Sequence, residues 1–300
     1  MHHNVAMPKA IVAISFLLVL APAPALAWGF EAHRFIMDRA IALLPDTLRP
    51  LFEQHRAIVV ERSIDPDTWR NAGFAEEPPN HFLDLDWEGY GKYPFRELPR
   101  DYTDAVEKFG VARVREMGTL PWRAEEFYGN LRRAFEQYAR NQYGSFDILF
   151  FSATLSHYIG DAHVPFHAVW NYDGQLTNQH GIHARFESEM FVRHRDQLKV
   201  APAAPKAIAD IRTFIFDRLL EGTQLAPEVL KADLAAIGHR DVYDDTYYAA
   251  FFSATRPIVE RRLNESISAV AAGIIGAWEA AGKPAVPVEQ PRRSPRRRRP

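Results

Sequence analysis

The densest chemistry in this 300-residue chain is one string, His157-Tyr-Ile-Gly-Asp161-Ala-His163-Val-Pro-Phe-His167. His157 and Asp161 are four residues apart, which places them on one face of a helix. Pro165 ends such a helix, and the chain beyond it can return His167 to the same region. Imidazole and carboxylate are the ligands zinc takes where thiolate is missing, and the chain has no cysteine. A lone His-x3-Asp pair would be an incidental contact on a helix face. Three histidines and an aspartate within eleven residues, closing the apolar run FDILFFSATLS, read instead as a metal-binding set.

Four other places carry the same residue types. His183 and Glu187, in GIHARFESEMF, repeat the i,i+4 spacing at the start of a further helix. A solvated charged face is the rival there, given Arg185 and Glu189, and His180 competes as ligand with a poorer helical spacing to Glu187. Asp67 stands in SIDPDTWR, with Asp65 as its rival and with turn or N-cap chemistry as the plain reading of Asp-Pro-Asp. His81 leads an apolar stretch in PPNHFLDLD. A loop or core role explains it equally, and Asp84 and Asp86 are close enough in sequence to orient its ring if it binds metal. The last is WGFEAH, with Trp28 and, at the start of the first helix, His33.

The elements that must position these residues are helical. Apolar residues make up 47% of the chain, enough for a sizeable core, and helical periodicity dominates over strand alternation. The spacing predicts helices over about 32–44, 48–61, 102–117, 122–140, 146–161 and 183–198. In the C-terminal third it predicts 205–220, 227–237, 243–254 and 257–281. Pro45, Pro121, Pro205, Pro227 and Pro257 are expected at helix ends or first turns, and Ser145 is a candidate N-cap. Loops rich in Pro, Gly and Asn are expected at 71–80, 88–100 and 171–181. The fold class is therefore all-α, with one helical domain.

Both ends stand apart from that domain. Residues 1–27 read as a secretory signal peptide, with Lys9 before the apolar run AIVAISFLLVL and Ala25-Leu26-Ala27 as a cleavage site. A buried N-terminal helix or an uncleaved anchor is the alternative. Cleavage would leave Trp28 as the first residue of a protein secreted or delivered to the periplasm. Residues 283–300 are rich in Pro and Arg and read as a disordered tail. The formal charge of −2 hides this asymmetry: without the leader's lysine and the tail's six arginines, residues 28–282 carry −9. The tail could touch an anionic surface, lipid or nucleic acid, or be merely solvated. No obligate protein partner is expected.

Taken together, these segments resemble the superfamily of zinc-dependent phospholipases C and single-strand nucleases. Its members hold a trinuclear zinc cluster in an all-helical fold and begin with a mature N-terminal tryptophan. Five segments match in order from Trp28 to Glu187, about half the chain. The resemblance implies that Asp67, His81, His157 and Asp161 hold one zinc, and that His167, His183 and Glu187 hold a second. Trp28, through its α-amino nitrogen and carbonyl oxygen, would hold the third together with His33 and a bridging Asp161. His163 matches the motif's non-ligand histidine.

That set offers about eleven donor atoms where three zincs require roughly twelve to fifteen, which leaves places for water and substrate. Three Zn²⁺ against three carboxylates leave roughly +3, suited to a phosphodiester. The expected activity is therefore phosphodiester hydrolysis, with Asp67 accepting the water's proton and Glu31 as a second candidate base. Glu187 stands where nucleases of the superfamily typically carry Asp, and the absence of cysteine also leans toward the phospholipase branch. A single-strand nuclease or nucleotidase is the alternative, with Phe82, Trp87, Tyr90, Trp170 and Tyr172 as candidate stacking platforms. A zinc-stabilised binding module without catalysis is a third reading. The partner expected is thus a phospholipid or a single-stranded nucleic acid.

Overall fold

The protein was analysed as a computed structural model that describes residues 29–141 and 145–286. The leader, Trp28 and the arginine tail from residue 287 onward lie outside the described residues. Every regular element among the described residues is helical, and none of those helices is long and apolar enough to cross a membrane.

The centre of the molecule is α8 (Ser145–Asp161). Its side chains from Ser152 to Asp161 are all buried, as expected of a helix apolar on every side. Around it pack α1 (Phe30–Ile41), α7 (Leu120–Asn141) and α12 (Asp245–Ala280). A further long helix, α11 (Ile211–Ile237), packs on α7, α12 and the 3-10 turn Pro165–Ala168. The ligand candidates of α8, His157 and Asp161, lie in its last turns, so the bundle carries them inward.

Shorter elements fill the entrance to this end. The predicted 48–61 helix is two, α2 (Arg49–Gln54) and α3 (Arg56–Glu61), separated at His55. The predicted 102–117 helix is also two, α5 (Tyr102–Phe109) and α6 (Val111–Met117), because Gly110 between them takes a φ of 82°. Asp65-Pro-Asp67, for which turn or N-cap chemistry was the plain reading, opens helix α4 (Asp65–Asn71), with Pro66 in its first turn where no donor is lost. The 183–198 helix forms as α9 (Ile182–Ala184), a π-helical turn (Arg185–Glu189), α10 (Met190–His194) and a 3-10 turn (Arg195–Gln197).

The C-terminal third departs most from expectation. Pro227 and Pro257 were placed at helix ends, yet both lie inside long helices. Both prolines face solvent, where water can satisfy the carbonyl each leaves without a donor. Leu225, Ala226 and Val229, and likewise Thr255 and Val259, bury on the other side. The helix expected over 205–220 begins only at Ile211, and residues 201–210 form an extended strap along α12. Asn264 Oδ1 accepts from Ala201 N at 2.7 Å, Ser268 Oγ donates to Ala203 O at 2.9 Å, and Ile208 N donates to Ala272 O at 3.1 Å. The packed body also continues past Gly282: Trp278 Nε1 donates to Pro284 O at 2.8 Å, and Val286 is buried.

Candidate metal centre

α8 delivers His157 and Asp161 from successive turns of one face, both fully buried. The 3-10 turn after it brings His167 back beside them. α1 adds His33, whose ring stacks on His157 with centroids 3.9 Å apart. Gly160 makes that stacking possible: a Cβ there would stand 3.0 Å from His33 Nδ1. α4 supplies Asp67, the 3-10 turn Pro78–His81 supplies His81, and the segment around the π-helical turn supplies His183 and Glu187.

Ligand-type atoms of these residues converge in three groups: His33 with His157 and Asp161, Asp67 with His81 and His157, and His167 with His183 and Glu187. Asp161 lies at the junction. Its Oδ1 is 3.2 Å from His33 Nε2, and its Oδ2 is 3.0 Å from His81 Nδ1 and 3.3 Å from His157 Nε2. In the third group His183 Nε2 lies 3.1 Å from Glu187 Oε2 and 3.1 Å from His167 Nε2.

The tautomers follow from the outward bonds. His157 Nδ1 bonds to Ser63 O at 2.9 Å, and His167 Nδ1 bonds to His81 O. A carbonyl only accepts, so each Nδ1 carries the proton and each Nε2 presents a bare lone pair inward. His157 Nε2 faces His81 Nδ1 at 3.1 Å, and His167 Nε2 faces His183 Nε2 equally closely. The bare Nε2 atoms of His157 and His167, set among buried carboxylates, suit a cation. Asp67 Oδ2 and both oxygens of Glu187 are buried without a hydrogen-bond partner, a costly state unless a positive charge compensates; Asp67 Oδ1 is paired with Arg70. The donor set is nitrogen and oxygen with no sulfur, and it fits zinc.

Electrostatics point the same way. Burial pushes Glu187 up to about 8. Burial, with His157 beside it, pushes His33 down to about 4 against the pull of Asp161, and burial takes His183 to about 4 as well. His81 goes the other way: burial would lower it, but Asp161 and Glu77 carry it up to about 9. Burial also opposes ionisation of Asp161, yet the histidines around it hold it well below the usual carboxylate range.

The rivalries resolve on position. Asp65 pairs with Arg62 at 2.9 Å, while Asp67 is wholly buried. His180 is exposed, while His183 is buried. His163 is buried but turned away, with Nδ1 bonded to Ile159 O at 2.7 Å. Glu31 is not drawn into the groups. It pairs with Arg34 at 3.0 Å at the surface and lines a hollow with Gly29 and Glu187. Asp86 accepts from Trp170 N at 2.7 Å, and the carboxylate beside His81 is Glu77, with Oε1 3.5 Å from Nε2. Trp28 lies outside the described residues. Gly29 follows it, packed so closely on Ser188 that a Cβ would stand 2.6 Å from the hydroxyl oxygen. The described chain thus begins beside Glu187.

Sequence reasoning missed two residues. Glu77 accepts from Tyr158 OH at 2.6 Å and pairs with Arg123 at 3.3 Å, and its i−4 spacing to His81 was the available signal. Arg70, one turn beyond Asp67, places Nη2 2.9 Å from Asp67 Oδ1. It also lines a cleft of about 190 Å³ that opens over His81, His167 and His183, with Phe82, Phe166 and Tyr172 as walls. Of the expected stacking platforms, Phe82 and Tyr172 line this cleft. Tyr90 is fully buried, and Trp87 packs edge-on against Tyr90 and Phe109. A larger hollow of about 510 Å³ between Tyr102, Arg115 and Glu126 coincides with none of the three ligand groups. Chemistry, rather than size, identifies the site.

Comparison with known proteins accords with this chemistry. Residues 32–226 match the family model described as zinc dependent phospholipase C. No curated protein matches the chain.

Proposed function

The chain belongs to the zinc-dependent phospholipase C family and is a zinc-dependent hydrolase of phosphoric esters; from that premise we propose that it is an exported phospholipase C built on three zinc ions. Asp67, His81, His157 and Asp161 would hold the first, and His167, His183 and Glu187 the second. His33, Asp161 and the freed terminus of Trp28 would hold the third. The observation that carries this reading is the inward convergence of imidazole nitrogens and buried carboxylate oxygens in three groups.

Bound zinc would supply the Lewis acidity that makes water a nucleophile near neutral pH. The chain's own residues do the rest. Arg70 offers its guanidinium to a phosphoryl oxygen in the cleft. Phe82, Phe166 and Tyr172 exclude solvent around the ester. Asp67 accepts the proton of the attacking water as oxygen adds to phosphorus and the bond to the alcohol oxygen breaks. Glu77, beside His81 Nε2, and the Ser63 carbonyl, bonded to His157 Nδ1, hold the imidazoles in the tautomers that face the site.

The test is a side-by-side assay of the mature, zinc-loaded protein on p-nitrophenyl phosphorylcholine and on single-stranded DNA. We expect turnover of the choline ester, lost on chelation and restored by zinc. Preference for DNA would move the protein to the nuclease branch. Turnover of neither, with zinc bound, would leave a zinc-stabilised binding module.

A further inference from the structure

Phe74, Trp170, Tyr172 and Leu176 are exposed large apolar side chains. They stand on two loops, and each loop is anchored at both ends in the wall of the catalytic cleft. The first runs from Arg70 to Pro78, both lining residues, with Phe74 between them 62% exposed. The second runs from His167 to His183, again both lining residues. It carries Trp170, Tyr172 and Leu176, the last 66% exposed.

These side chains are held outward by braced backbone. Phe74 N donates to Trp69 O at 3.2 Å, and Glu77 N donates to Phe74 O at 3.0 Å. In the second loop Asn171 Oδ1 accepts from Leu176 N at 2.8 Å, and Asn171 Nδ2 donates to Thr177 Oγ1 at 3.2 Å. Asp173 accepts from the amides of Gly181 and His183 at 3.0 and 3.3 Å. Ordering such a surface on a partner therefore costs little chain entropy.

Charge selects the partner. Neither loop contains a lysine or arginine between residues 71 and 78 or between 170 and 181. Their carboxylates are already engaged: Glu76 with Arg115, Glu77 with Tyr158 and Arg123, and Asp173 with backbone amides. What remains outward is mainly aromatic, aliphatic, amide and hydroxyl, with His180 as one exposed imidazole and the paired Glu76 as one exposed carboxylate. A polyanion, or an anionic bilayer, would be met by clustered cations. Tryptophan and tyrosine with neutral polar neighbours suit the headgroup level of a zwitterionic bilayer. Exposed apolar patches of this kind mark interaction surfaces.

We propose that the two loops form a docking face for a zwitterionic phospholipid bilayer. Phe74 and Leu176 enter the acyl boundary, Trp170 and Tyr172 lie at headgroup level, and the cleft opens directly onto the membrane. The idea rests on the lipid-ester reading above.

The test uses the mature holoprotein and vesicles of a phosphatidylcholine analogue in which a methylene replaces the glyceryl oxygen on phosphorus, so the lipid is not consumed. Wild type should co-sediment with these vesicles. The double variant Phe74→Ser with Leu176→Ser should partition about tenfold more weakly, while its hydrolysis of monomeric short-chain phosphatidylcholine stays within about twofold. Absence of wild-type binding, equal binding by the variant, or displacement of vesicles by single-stranded DNA would overturn the proposal. Vesicle binding lost in the variant, with no wild-type turnover of soluble lipid, would sustain the docking face and remove the phospholipase reading instead.

Discussion

Glu77 shows how a residue that touches no substrate can govern a metal ligand. Its carboxylate beside His81 Nε2 favours a proton there and leaves Nδ1 bare toward Asp161 and His157. Glu77→Gln keeps an acceptor for Tyr158 but loses the charge. It should weaken zinc affinity by roughly ten- to a hundredfold, read by competition with a chelating dye, with the fold intact by circular dichroism. An unchanged affinity would mean that other contacts fix the ring. The pairs His157/Asp161 and His183/Glu187 were legible as sharing a helix face because i,i+4 spacing survives any helical fold. Glu77 and Arg70 were not, because their roles depend on where two separate segments meet.

Asp84 makes a pH argument at the same scale. Burial, with Asp86 nearby, pushes its carboxyl up to about 8. An unfolded aspartate ionises near pH 3.9, so between about pH 4 and 8 the folded chain holds a proton that the unfolded chain releases. Stability must therefore fall as pH rises through that window. Asp84→Asn removes the loss. With zinc saturating, it should raise Tm by several degrees at pH 8.5 and by clearly less at pH 5.5. An equal gain at both values would assign the effect to packing alone.

Elements proved legible where one physical rule dominates and illegible where two compete. Helix α8 is apolar on every side and follows the sequence reading almost to the residue. Pro227 and Pro257 set local propensity against packing on both flanks, and packing prevails. The strap at 201–210 depends on partners over sixty residues away, which no local pattern reveals. Gly276 marks its crossing of α12: a Cβ there would stand 2.0 Å from Ile208 O. Ile208 O also accepts from Tyr128 OH at 2.8 Å, so it has little room to move. Gly276→Ala should therefore destabilise by about 1–3 kcal/mol, visible as a shift in the denaturant midpoint. A midpoint within error of wild type would show that the strap lifts freely.

For the whole molecule the central question is how export relates to activity. The three ligand groups draw on α1, α4, the turn before His81, α8 and the segment around the π-helical turn, so the bundle must be assembled before the site exists. One proposed ligand cannot exist in the precursor at all. In the uncleaved chain the Trp28 nitrogen is an amide with no lone pair free for zinc; under the proposed cleavage it would become an amine. Gly29 packs on Ser188, next to Glu187. A protein beginning at Trp28 should bind three zinc ions per chain and hydrolyse the choline ester. The same protein with one alanine added before Trp28 should bind two and lose at least about a hundredfold in turnover, with an unchanged circular dichroism spectrum. Full zinc content and full activity in the extended chain would sever the link between leader removal and catalysis, and would leave His33 and Asp161 to hold the third ion without the terminus.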